Sequence, residues 1–183
     1  MGRYGRLTFS AAGCVALALT VLILPLRWLL AWVAAAAFHE GCHALAVWLC
    51  GGNVLRLRLE PGGARMEIGG IEGWREAVCA LSGPLGALSL LLFARWLPAV
   101  SVCALFHSAY NLLPLYPMDG GRALRCLLEG LVPGRAERIS AVIGFVTLGV
   151  LWVLALWAVI VWKLGIMPLL LVLLLTFAKN PLH

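Results

Sequence analysis

Six long apolar stretches constrain this chain more than any other feature. They run about Leu7–Leu26, Trp28–Cys50, Ala77–Phe93, Leu97–Leu113, Ile139–Trp162 and Leu164–Ala178. A helix needs roughly 20 mostly apolar residues to cross a bilayer. Six such helices would take roughly 120 residues of the chain. That leaves no room for a second soluble domain of ordinary size. Composition agrees: 63% of the residues are hydrophobic and 12% charged. A soluble domain runs near 45–50% apolar and about 25% charged, so a soluble fold is excluded. Six cysteines in 183 residues are too sparse for a disulfide scaffold. We therefore expect an all-α polytopic membrane protein with six transmembrane helices, forming a single domain over residues 1–183. A cleaved signal peptide is the competing reading of the first stretch.

Charge placement orients the map. The net charge is +6, which in a soluble chain would suggest nucleic acid. In a membrane chain, Lys and Arg collect in cytoplasmic loops, and no nucleic-acid partner is expected. With the N-terminus inside and six alternating spans, only Arg27, Arg95 and Lys163 fall outside. Eleven of the fourteen basic residues are then cytoplasmic. Both termini are thus expected in the cytoplasm.

Two segments break the helical pattern. From Val54 to Glu60, Leu55, Leu57 and Leu59 alternate with Arg56, Arg58 and Glu60. After Pro61-Gly62-Gly63, Met66 and Ile68 alternate with Arg65 and Glu67. A period of two around a turn predicts a small membrane-associated β-hairpin over about 53–70. The second segment is Asn111–Gly121, NLLPLYPMDGG, where Pro114 and Pro117 cannot continue a helix. Irregular backbone at membrane depth persists only where protein or a watery cavity satisfies it.

The chemistry concentrates in the second stretch. His39, Glu40 and His43 form H-E-x-x-H. On a helix, positions i and i+4 share a face about 6 Å apart along the axis, so both imidazoles can reach one metal ion. Zinc brings the pKa of a bound water to about 7, and Glu40 can accept its proton. Ionisable groups near mid-bilayer are costly and usually functional; an internal polar network is the alternative. A catalytic zinc usually has three protein ligands and one open position. The chain contains one Asp, Asp119, in the proline-broken segment. It is the candidate third ligand, with helix N-capping as the alternative.

Together HEGCH and NLLPLYPMDGG resemble the site-2 protease family of intramembrane zinc metalloproteases, through its HExxH and N-x-x-P-x-x-x-x-D-G motifs. The branch most resembled is that of stage IV sporulation protein FB. The resemblance covers most of the chain, with core spans over about 28–131. It implies zinc on His39, His43 and Asp119, with Glu40 as base and Asn111 positioning the substrate. It also implies that the hairpin takes substrate as an added strand. The substrate it implies is a membrane-associated protein, such as a sigma-factor precursor in sporulation or an anti-sigma factor, with regulatory membrane proteins as further partners. Ser82-Gly83-Pro84-Leu85-Gly86-Ala87 resembles the family's third-span G-P-x-x-N element, but Ala87 stands where Asn is common. No CBS pair or PDZ insertion is expected.

Physical reasoning on the residues agrees with intramembrane proteolysis. A peptide bond within a spanning helix is shielded and hydrogen-bonded. A strand edge can supply replacement bonds. Asn111 could donate to a substrate carbonyl or simply to a freed helix carbonyl. His107 is either a partner of the site or a satisfied internal histidine. The six cysteines read as small buried apolar groups. The functional alternative is a catalytically inactive membrane scaffold of the same fold that binds a client. A metal transporter would be expected to show repeated halves, and none is visible.

Overall fold

The computed structural model describes residues 6–9, 14, 18, 20–60 and 63–179. A short strand, β1 (Arg6–Phe9), is followed by a helix, α1 (Leu26–Leu49). Strands β2 (Asn53–Glu60) and β3 (Gly63–Gly69) come next. Helix α2 (Trp74–Leu88) runs on into a 3₁₀ segment, Ser89–Phe93. Helices α3 (Pro98–Asn111), α4 (Asp119–Leu131), α5 (Ala136–Trp162) and α6 (Met167–Lys179) complete the fold.

Local chemistry sets these boundaries. Pro25 precedes α1; a proline cannot donate to the helix and fits its first turn. The 24 residues of α1 span about 36 Å. It stops at Gly51, whose φ of 79° lies in the left-handed region that favours glycine. Pro98 opens α3, where its missing N–H costs nothing. The proline-broken loop closes α3 after 14 residues.

Among the described residues, three helical segments are long and apolar enough to cross a membrane: Leu26–Leu49, Trp74–Phe93 and Ala136–Trp162. They match the second, third and fifth apolar stretches. The fourth and sixth stretches are helical but shorter, at 14 and 13 residues. The beginning of the first stretch departs from expectation. Arg6–Phe9 is a strand paired parallel to β2, with Arg6 opposite Arg56 and Phe9 opposite Leu59. Helix is seen at 20–23, and the rest of that stretch lies largely outside the described residues. An apolar run that also alternates can be taken up by a neighbouring strand edge, and hydropathy alone does not separate the two outcomes.

The hairpin is present and antiparallel, with Asn53 opposite Gly69 and Leu57 opposite Met66. A bulge between Val54 and Arg56 shifts the register. The sheet order is β1-β2-β3, so the hairpin is the larger part of a three-stranded sheet. Pro61 and Gly62 of its turn lie outside the described residues.

Three buried clusters fix the helices around the future site. Ala46 and Val47 of α1 meet Cys79 of α2 and Ile71, with Val54 and Ile68 of the sheet packed against them. Ala77 and Ala80 of α2 meet Ala123 of α4. Leu115 and Met118 meet Leu148 of α5 and Leu175 of α6. The second cluster is built from alanine. Small residues let helices approach closely where lipid offers no hydrophobic drive for association.

Candidate metal centre

Helix α1 carries His39 and His43 one turn apart, and both are buried. Glu40 is half-buried beside them. Asp119 comes from a segment 80 residues beyond His39 and is the first residue of α4. Met118 is the N-cap and no side chain caps the helix, so Asp119 is not spent on capping.

Two glycines place the aspartate. A Cβ on Gly120 would strike the Leu112 carbonyl group and lie 2.7 Å from the Leu113 oxygen. A Cβ on Gly121 would strike the Leu115–Tyr116 backbone. The start of α4 therefore nests in the proline-broken loop with no side chain between them. Leu115, 1% exposed, anchors that loop from the other side.

The three side chains meet at one point. His39 Nε2 is 3.1 Å from Asp119 Oδ2, His43 Nε2 is 3.1 Å from the same oxygen, and the two Nε2 atoms are 3.1 Å apart. Four ligands at about 2.0–2.1 Å around a tetrahedral ion stand about 3.3 Å from one another. The triangle is thus close to three corners of such a tetrahedron. Among the described residues this is the one group of three or more His, Cys, Asp or Glu side chains that could hold a metal ion.

The hydrogen bonding points the same way. His43 Nδ1 donates to the Cys79 carbonyl at 2.7 Å. In a neutral imidazole this leaves Nε2 as a lone pair facing a carboxylate oxygen. Two acceptors at that separation need a cation between them. A proton could serve one such pair; a metal ion serves all three atoms at once. The Cys79 carbonyl plays the outer partner that ligating histidines usually have.

Helix α2 makes room for this. A Cβ on Gly83 would fall on the His43 imidazole. The resemblance to a G-P element in this span was visible in the sequence, but the reason for glycine was not. The Cys79 carbonyl was missed, because a backbone acceptor leaves no mark in the sequence. Of the six cysteines expected to be buried, Cys79 is, whereas Cys42, Cys50, Cys103 and Cys126 are half-buried and Cys14 is exposed. Ala87, at 0% exposure, brings no polar group. Ser82 Oγ instead donates to the carbonyls of Cys79 at 2.7 Å and Cys42 at 3.3 Å, which ties α2 to α1.

Asn111 ends α3, with Nδ2 donating to the His107 carbonyl at 3.0 Å. This is the helix-carbonyl bond left open by the sequence, and one amide proton remains for another acceptor. His107 does not join the cluster. Its ring stands edge-on to His39, with centroids 4.6 Å apart. Arg122, one turn beyond Asp119, reaches Glu76 of α2 at 3.8 Å.

No curated protein matches the chain. The fold is similar to that of the site-2 protease from Methanocaldococcus jannaschii, with a TM-score of 0.68, 20% sequence identity, 98% of this chain covered and 92% of that one. Residues 11–116 match the profile of the family described as Peptidase M50B-like. That match spans more than half of the chain, and the chain belongs to the Peptidase M50B-like family.

Proposed function

We propose that the protein is a zinc-dependent intramembrane endopeptidase of the site-2 protease type. The observation that carries the reading is the convergence of His39 Nε2, His43 Nε2 and Asp119 Oδ2 from two distant segments. In this reading His39, His43 and Asp119 hold the zinc, which supplies an acidified water as nucleophile when bound. Nitrogen and carboxylate donors suit zinc. Glu40, on the same helix and next to His39, accepts a proton and returns it to the leaving amine. Cys79, through its carbonyl, keeps His43 in the ligating tautomer. The free amide proton of Asn111 positions a substrate carbonyl.

The substrate is a membrane-associated or membrane-spanning protein, whose helix must be opened before cleavage. The sheet suits this task. A cavity beside His43 is lined by Met66 and Ile68 of β3, by Val47, Ala80 and Arg122, and by Cys79. A strand added to β3 would therefore run next to the metal centre. In this reading cleavage falls near the cytoplasmic side and both termini are cytoplasmic, as the Lys and Arg distribution over six alternating spans would place them. The narrower branch, that of stage IV sporulation protein FB with a sigma-factor precursor as substrate, rests on motif resemblance alone.

The test is cleavage of a fluorophore-labelled transmembrane peptide library by the purified protein in liposomes. Wild type should cut; Glu40→Gln should lose at least about 100-fold in rate while retaining its metal. Equal cutting by the two would contradict the role of Glu40. No cutting by wild type across a broad library would favour a client-binding scaffold.

A further inference from the structure

The cavity beside His43 is apolar along most of its wall. Val47 comes from α1, Ala80 from α2, and Met66 and Ile68 from β3. Arg122 is the exception: among the described residues that line the cavity, no other side chain carries a permanent charge. A guanidinium stays charged at every working pH, and a charge on an apolar wall is costly unless something pairs with it.

Helix packing pairs it only weakly. Arg122 is the fourth residue of α4, one turn beyond Asp119. Its Nη2 stands 3.8 Å from Oε1 of Glu76 on α2, and the two side chains are 21% and 33% exposed. A contact that long and that open to solvent is a weak tie. It engages one arm of a planar fork with five N–H donors. A fork of that shape matches a carboxylate, which can take two parallel N–H bonds from it.

Position tells which carboxylate. Met66 and Ile68 are two residues apart on β3, so they face the same side of the strand, toward the cavity. A substrate strand laid along β3 would send alternate side chains to that same side, into the space that Arg122 shares with His43. The charge would also repel Lys and Arg, which collect at the cytoplasmic ends of spanning helices. Attraction of one sign and repulsion of the other together make a selective site.

We propose that Arg122 is a specificity-determining residue: its guanidinium receives the carboxylate of an Asp or Glu close to the scissile bond in the substrate strand on β3. The preferred substrate is thus a membrane protein with an acidic residue where the strand meets the metal centre. The inference rests on the protease reading.

The experiment measures kcat/KM of the full chain in liposomes on labelled transmembrane peptides that differ at one position. That position carries Asp, Asn or Lys and is moved residue by residue along the peptide. Zinc content is recorded for every variant. Wild type should prefer Asp to Asn about 10- to 100-fold at one position, chiefly through KM, and cut the Lys peptide most slowly. Arg122→Gln should lose that preference, and Arg122→Glu should turn it toward Lys, each keeping its zinc. A purely structural tie between α2 and α4 would not make the preference follow the sign of the charge. Arg122→Lys, which keeps the charge but not the fork, should retain part of the preference. Equal cutting of Asp and Asn peptides by wild type at every position would overturn this role and leave the protease reading standing, whether or not the variants fold. An Asp preference that survives in Arg122→Gln would also overturn it. A wild-type chain that cuts none of the peptides would overturn the protease reading itself, and this inference with it.

Discussion

The part of the molecule around α1, α2 and α4 and the part made by α5 and α6 obey different rules. Around the cluster, the buried residues are mostly small: Ala35, Ala46, Ala77, Ala80, Ala87 and Ala123. Glycines stand where any Cβ would strike a neighbour, at Gly83, Gly120 and Gly121. In α5, large apolar side chains such as Phe145, Val146, Val153 and Ile160 are more than 60% exposed, as suits a face turned to lipid. Gly149 of α5 has open space where its Cβ would be. The contrast is between helices that need glycine at close contacts, at Gly83, Gly120 and Gly121, and a helix whose large apolar side chains mostly face outward. At those glycines a shift of an ångström would separate His39, His43 and Asp119, whereas α5 and α6 meet this region through Leu148 and Leu175, packed on Leu115 and Met118.

Four substitutions would sharpen or break that contrast. The largest effect is expected at Gly121→Ala. Its Cβ meets the Leu115–Tyr116 backbone, which cannot give way as a flexible side chain can. Overpacking of this kind costs about 1–3 kcal/mol or more, and here it also displaces Asp119. Size-exclusion profiles and metal content should show a chain that is poorly folded or carries no metal. Next comes Gly83→Ala, whose Cβ falls on the His43 imidazole. The protein should still fold but bind zinc at least about 100-fold more weakly, since even loss of an outer partner costs 10- to 100-fold; wild-type affinity would show that α2 does not confine His43.

Smaller effects are expected away from the cluster. Trp152→Phe removes the indole donor to Thr176 Oγ1, 3.3 Å away, the side-chain bond joining α5 to α6. Such bonds within membrane bundles contribute about 0.6 kcal/mol on average. Thermal melting should fall slightly and metal content stay the same; loss of metal would mean that α5 and α6 help build the centre. The smallest effect is expected at Gly149→Ala. There the added methyl meets nothing and helix propensity favours Ala by about 1 kcal/mol. Melting should be unchanged or slightly higher, and a marked loss would break the contrast drawn here.

Much of this contrast was legible in the sequence. The H-E-x-x-H spacing put both imidazoles on one face of a helix, and α1 carries them there. A lone aspartate in a proline-broken segment stood out by elimination, and its Oδ2 lies 3.1 Å from both histidines. Alternation announced the hairpin within a residue or two of its ends. The first residues of the first apolar stretch, Leu7–Phe9, form a strand instead, because hydropathy cannot tell the start of a span from a strand that finds a neighbour's edge. The lengths of α3 and α4 depended on where the chain leaves the helix between Asn111 and Asp119. Prolines mark that place without stating how much helix survives on either side. The Cys79 carbonyl, the fit of Gly83 to His43 and the pairing of His39 with α3 are all tertiary contacts. They depend on which helix lies against which, and no local pattern of residues records that.

The central claim is that two distant segments form one metal site. It is tested most directly by elemental analysis of the purified wild-type protein beside its Asp119→Ala variant, both shown to be monodisperse. The account predicts about one zinc per wild-type chain, given three protein ligands and an open fourth position, and little or none in the variant. A wild-type chain that takes up no zinc after metal is added back, or a variant that keeps its full complement, would contradict it.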